Sequence, residues 1–149
     1  MKVTVERVTT FNLRNLLGYD CSEEFFNLHV SGMTKSTMIW LGRADGVEAC
    51  AIGVIPATIF SNRAYLWMID SQICRQHPLR FIRWSRRVLN EVLESYPTLV
   101  GLCSCENVYG RRWLEWLGAK FENTPINSGH YGFTIDGRDD LLLYRITNG

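Results

Sequence analysis

Long apolar runs are missing from this 149-residue sequence. None approaches the roughly 20 residues that span a bilayer, and the opening MKVTVERVTT carries no apolar signal core. A soluble, unexported protein is the expectation. An excess of charge is missing too, with 16 Lys+Arg against 15 Asp+Glu and a net charge of +1. That excludes bulk attraction to nucleic acid or an anionic membrane, so any such binding needs a local patch. Repeats, low-complexity tracts and linkers are absent, and the four prolines and twelve glycines are scattered. One continuous domain over residues 1–149 is expected.

Five cysteines (Cys21, Cys50, Cys74, Cys103, Cys105) are an odd number at irregular spacing. This argues against a disulfide framework and for a reducing compartment. Cys103 and Cys105 have no second Cys or His pair to complete a zinc site, so no metal is expected and they read as small core hydrophobes.

What is present is ordinary globular material, 46% apolar and 21% charged. Alternation and β-branching predict a strand over about residues 2–9, then short helical turns at Phe11 to Leu17 and Ser22 to Val30. Thr37 to Arg43 and Val47 to Ile55 flank Ala44-Asp45-Gly46, a hairpin signal because Gly46 takes positive φ. Ala64 to Asp70 reads as a strand from the middle of a sheet. Pro78 opens a helix to Ser95 with Phe81, Ser85, Val88, Leu89, Val92 and Tyr96 on one side. Thr98 to Ser104 is a strand, Val108 to Leu117 a helix stopped by Gly118, and Lys120 to Asn123 and Leu141 to Thr147 late strands. Gly129, Gly132 and Gly137 lie in the connection between those last two. A strand–helix–strand unit requires a parallel pair, whereas the hairpin is antiparallel. The expected class is therefore α/β, with a mixed, mostly antiparallel central sheet flanked by helices.

Two stretches can carry chemistry. Ile69 to Arg80 links a strand to the start of a long helix, where unpaired N–H groups and the helix dipole suit a phosphate. Arg75, Arg80, Arg83, Arg86 and Arg87 follow with no acidic residue before Glu91. The run fits a phosphorylated cofactor, an acidic partner or a solvated face. It has no zinc-finger, helix-turn-helix or aromatic platform pattern beside it, so no nucleic-acid partner is expected. The second stretch is Cys105 to Phe121, where Asn107 caps a helix containing Trp113 and Leu117 on a core face. Trp116 and Arg112 lie elsewhere on that helix and suit a partner surface.

Asn107 to Phe121, behind the strand Leu99 to Ser104, resembles the closing part of the GNAT acetyltransferase superfamily. There an Asn precedes a helix that ends in a Gly-aromatic turn. Ala64 to Ser95 resembles its coenzyme A segment. His77-Pro-Leu-Arg-Phe81, the Arg112-Trp-Leu and Leu117-Gly-Ala-Lys-Phe121 runs, Gly132-Phe-Thr and Leu143-Tyr-Arg-Ile-Thr147 are similar to GNAT-like virion-morphogenesis or internal-virion accessory proteins of short-tailed phages. The likeness covers about residues 64–149.

The resemblance implies a GNAT fold in which a parallel strand pair splays, with acetyl-CoA as the possible cofactor. Pantetheine would lie along the Trp67–Ser71 strand and pyrophosphate on the N–H groups that follow. Carried over residue by residue, cofactor contacts fall on Ile69, Ser71, Arg75, Gln76, His77, Leu79, Arg80 and Asn107. The expected role is that of a phage accessory protein acting by binding on a degenerate cofactor site. Its partner would be a phage or host protein in the host-cell cytoplasm or on the virion. The alternative is an acetyl-CoA-dependent N-acetyltransferase.

The sequence departs from the family where Gln/Arg-x-x-Gly-x-Gly/Ala becomes Arg75-Gln76-His77-Pro78-Leu79-Arg80. The helix position of the usual general-acid Tyr is Leu114, which has no proton to give. Asp70, Glu106 and His77 are candidate bases and Tyr109 or Cys105 candidate donors. Among these, Asp70, Glu106 and Tyr109 are carried forward as catalytic candidates.

Overall fold

The computed structural model describes residues 2–58, 62–105, 107–122 and 141–147. Strand β1 (Val3–Val8) is followed by helices α1 (Arg14–Leu17) and α2 (Glu23–Lys35), then β2 (Met38–Ala44) and β3 (Val47–Pro56). After β4 (Arg63–Asp70) come α3 (Gln72–Gln76), α4 (Pro78–Ser95), β5 (Thr98–Ser104) and α5 (Val108–Trp116), and then β6 (Lys120–Phe121) and β7 (Leu141–Thr147). The strands form one sheet in the order β1-β2-β3-β4-β5-β7-β6. Among the described pairings all are antiparallel except β4 with β5. The mixed, mostly antiparallel sheet expected from the sequence is the one found.

Local chemistry explains most of these bounds. Asp45 (φ 48) and Gly46 (φ 83) both take positive φ, the two-residue turn whose twist suits a hairpin. Gly118 (φ 101) ends α5 as expected, and the Asn107 side chain caps the helix start by accepting from the Gly110 N–H at 3.0 Å. Two expectations need correction. Helix α2 runs past Val30 to Lys35, carried through Gly32 by a face packed on β3. A five-residue helix, α3, occupies what reads in sequence as a connecting loop. His77 stands at the N-cap position of α4 and makes no side-chain cap hydrogen bond. The described part of β6 ends at Phe121, and Asn123, Gly129, Gly132 and Gly137 lie outside the described residues.

Helices cover both faces of the sheet. On one face Ile52, Leu66 and Leu99 meet Phe81, Val88 and Val92 of α4, Trp113 of α5 and Leu117 at its C-terminal cap. On the other, Ile39, Leu41, Ala51 and Ile55 are buried beneath α1 and α2, with Leu13 fully enclosed beside them. Strand β3, buried on both sides over Ala49 to Ile55, therefore reads as a continuous apolar run rather than an alternating one. All five cysteines are free thiols. No helix among the described residues is long and apolar enough to cross a membrane.

One polar link joins α4 to α5 inside the core. Trp113 donates its indole N–H to the Ser85 hydroxyl at 3.1 Å, and Ser85, fully buried, donates to the Phe81 carbonyl at 2.6 Å. Ser85→Ala leaves that buried N–H without an acceptor. It should cost about 1–3 kcal/mol in urea unfolding; an unchanged midpoint would contradict the assignment.

Candidate active site

The site begins where pairing stops. Strands β4 and β5 run in register at Arg63–Thr98, Ala64–Leu99 and Tyr65–Val100, and no further. Beyond this, β4 stays on β3 up to Asp70 and β5 stays on β7 up to Ser104, so each strand follows its own half of the sheet. The result is a fork. A cleft of about 180 Å³ lies in it, lined by Met68, Asp70, Cys103, Ser104, Asn107 and Tyr144 together with Leu102, Gly110, Trp113 and Leu114.

Tyr144 fills the apex of the fork. It faces Gly101 across the β5–β7 ladder, and a β-carbon on Gly101 would lie 2.2 Å from its hydroxyl oxygen. Tyr144 donates that hydroxyl to the Leu66 carbonyl at 3.4 Å, the first residue of β4 past the parallel pairing. Antiparallel strands alternate the direction of their backbone groups, so Leu66, Met68 and Asp70 turn N–H and C=O toward the fork. Tyr65, Trp67 and Ile69 turn theirs toward β3. Ile69, a sequence-based contact, thus has its backbone groups on the β3 side. Met68, which sequence reasoning passed over, holds the open N–H and C=O. Strand parity was the available signal, but the neighbour of β4 on each side had to be known to use it.

Past the fork the chain enters α3, anchored by the buried Cys74 thiol donating to the Ala49 carbonyl at 3.2 Å. The Asp70 carboxylate pairs with the Arg75 guanidinium at 3.2 Å. Tyr109, from the first turn of α5, reaches across to the Cys74 and Arg75 carbonyls at 3.4 and 3.3 Å and stacks beneath Arg75. Of the catalytic candidates, Asp70 and Tyr109 therefore converge on α3, one ion-paired and the other tied down. Glu106 lies outside the described residues. Burial raises the Tyr109 hydroxyl above its ordinary pKa, so it stays protonated and donates.

The contacts carried over by resemblance separate. Asn107 lines the cleft and Ser71 starts α3 with a buried hydroxyl oxygen that has no hydrogen-bond partner among the described residues. Arg75 bridges Asp70 and Tyr109. Gln76, His77, Leu79 and Arg80 are exposed around the start of α4. Neither acidic residues nor a side-chain cap occupies the first turn of α4, so the N–H of the exposed Leu79 is open to an anion there. The N–H groups of Cys74 and Arg75 are used within α3, on the Ser71 carbonyl at 3.1 and 3.4 Å. No group of three or more His, Cys, Asp or Glu among the described residues could hold a metal ion.

Two predictions follow from the fork. Gly101→Ala should lower the melting temperature, at a cost of about 1–3 kcal/mol, because Tyr144 must leave its seat; wild-type melting would refute the packing. Burial pushes the Cys103 thiol up to about 11 from 9.0. The folded state thus holds this proton more tightly than the unfolded chain. Its contribution to stability, full below about pH 9, should be lost as pH rises through about 11. Thermal melts over that range should fall less steeply for Cys103→Ala, and equal slopes would exclude the thiol as a cause.

No protein-family model and no curated protein sequence matches the chain. Solved structures do. The IAA acetyltransferase from Bacillus cereus ATCC 14579 superposes with a TM-score of 0.71 at 12% identity, covering 99% of this chain and 100% of that one. The ribosomal-protein-S18-alanine N-acetyltransferase from Escherichia coli gives 0.68 at 17% identity, over 98% and 94%. A GNAT family acetyltransferase from Elizabethkingia anophelis with acetyl-CoA bound gives 0.68 at 13%, over 98% of each. The forked parallel pair and its flanking helices are the fold of the GNAT acetyltransferases.

Proposed function

We infer that the chain, as one domain over residues 1–149, binds acetyl-CoA in the fork and acts as an N-acetyltransferase. The observation that carries this is the fork itself, a cleft where β4 offers unpaired backbone between two sheet halves. A bound structural neighbour with acetyl-CoA supports the reading. When bound, acetyl-CoA supplies an activated acetyl group for attack by an amine.

The residues present fit such a ligand, though by a different route from the glycine-rich pattern. Met68 offers its N–H to a carbonyl oxygen and its C=O to an amide, as an extended arm along β4 requires. The first turn of α4 at Leu79, with Arg75 and Arg80 nearby in the chain, suits a pyrophosphate. The orphaned Ser71 hydroxyl adds a polar contact between the two. Asn107, by capping α5, sets where that helix begins against the cleft. Among the described residues Asp70 is the carboxylate lining the cleft and the candidate to accept the amine proton. Neither Leu114 nor the tied Tyr109 offers a free proton donor.

That shortage favours a second reading, a phage accessory protein acting by binding in virion morphogenesis or infection, in the host-cell cytoplasm. It draws on the sequence resemblance and on Leu114, a buried hydrocarbon in the cleft wall.

Calorimetric titration with acetyl-CoA separates the two. Micromolar binding that weakens about tenfold in Arg75→Ala is expected, with thiol released when a polyamine or amino-terminal peptide is added. No heat at millimolar ligand would remove the acetyltransferase reading. Binding without thiol release would favour the accessory role.

A further inference from the structure

We propose that the outer face of the α4–α5 pair binds single-stranded nucleic acid. This face lies outside the fork and does not depend on the acetyltransferase reading. On α4, Arg83, Arg86 and Arg87 are all exposed, with Arg83 and Arg87 one helical turn apart and Arg86 beside them. On α5, exposed Arg112 precedes Trp116 by one turn. Arg86 joins the two helices. Its guanidinium donates to the Trp116 carbonyl at 2.7 Å and covers the indole at 4.6 Å from the ring centroid.

Charge is unbalanced here although the chain is near neutral overall. Arg83, Arg87 and Arg112 form no ion pair among the described residues. The nearest carboxylate on α5, Glu115, is held by Arg111 at 3.3 Å. Glu91 begins the acidic end of α4 one turn after Arg87 and is not paired with it. Every cation on the face is arginine, whose planar fork matches phosphate oxygens.

Charge alone would suit any polyanion, and the ring decides between them. Trp116 keeps half its surface open, at 51%, while Arg86 is stacked on it. A base can stack on such a ring, whereas an acidic peptide would use the guanidinium groups and leave the indole idle. The aromatics within the arginine run itself, Phe81 and Trp84, pack on the core. Arg86 and Trp116 are 30 residues apart, and packing of α4 on α5 brings them together.

The test is fluorescence anisotropy with a labelled oligothymidylate of about 12 nucleotides, read across salt concentrations. Micromolar binding at low salt is expected, with a log–log salt slope of about −2 to −3 for three or four phosphate contacts. Arg83→Glu/Arg87→Glu should weaken it at least tenfold. Trp116→Ala should weaken it about fivefold or more, and Trp116→Phe should retain most of the affinity because a stacking ring remains. Circular dichroism melts check that each variant is folded. The proposal fails if wild-type protein does not bind at low salt, or if Trp116→Ala binds as wild type. It also fails if polyglutamate displaces the oligonucleotide at matched charge, since an acidic peptide is then the ligand. Displacement by saturating acetyl-CoA would overturn it as well, because the phosphates would then sit in the cofactor cleft. Absence of acetyl-CoA binding with oligonucleotide binding intact would count against the acetyltransferase reading alone.

Discussion

The Tyr144 side chain, seated where Gly101 leaves room, is what the rest of the site depends on. Two neighbouring parallel strands would ordinarily continue to pair, because unpaired backbone groups away from water are costly. Here the Leu66 carbonyl, the first that β5 does not reach, is taken by the Tyr144 hydroxyl. The phenol is buried, and burial holds its proton well above the ordinary tyrosine range. It therefore remains a donor, and the opening of the sheet has a polar partner at its apex. The two sheet halves can diverge without leaving that group orphaned.

What lies beyond the apex is a compromise between access and closure. Met68 presents unpaired backbone to the cleft, and Ser71 an unpartnered hydroxyl. Tyr109, Arg75 and Asp70 meanwhile form a polar bridge from α5 over α3 to the end of β4. The α3 helix consumes two N–H groups that a glycine-rich turn would leave open, so the proposed anion contact falls on the first turn of α4. Pro78 does not spoil this, because the N–H it lacks is one of several at a helix start. The same helix serves two surfaces. Its start follows α3 at the end of β4, and its middle, through Arg86, meets Trp116 on the outside of the molecule.

Much of this architecture was legible from residue pattern. Asp45-Gly46 announced the hairpin because few residues accept positive φ, and Pro78 to Ser95 announced α4 through its apolar spacing. The run Thr98 to Ser104 matched β5 because alternation and β-branching agree there. Where signals conflicted the reading fell short. The helical pattern read from Ser22 stops at Val30, yet packing on β3 carries α2 onward to Lys35. Gln72 to Gln76 is too short to show a helical period, and its helix is secured by tertiary contacts, the buried Cys74 thiol on β3, the Arg75–Asp70 pair and Tyr109 of α5.

The amino-acid order by itself determined the mixed sheet, the antiparallel hairpin, the crossover helix and the cap at Asn107, because each follows from local spacing and backbone preference. It also placed Leu114 where a hydroxyl would be wanted. Only the tertiary structure decided that β4 and β5 part after Tyr65, and that Met68 rather than Ile69 faces the gap. It alone decided that Tyr144, 78 residues from Leu66, supplies the missing partner. Those outcomes depend on which strands become neighbours and in what register, and pairing energy is spread across contacts distant in sequence.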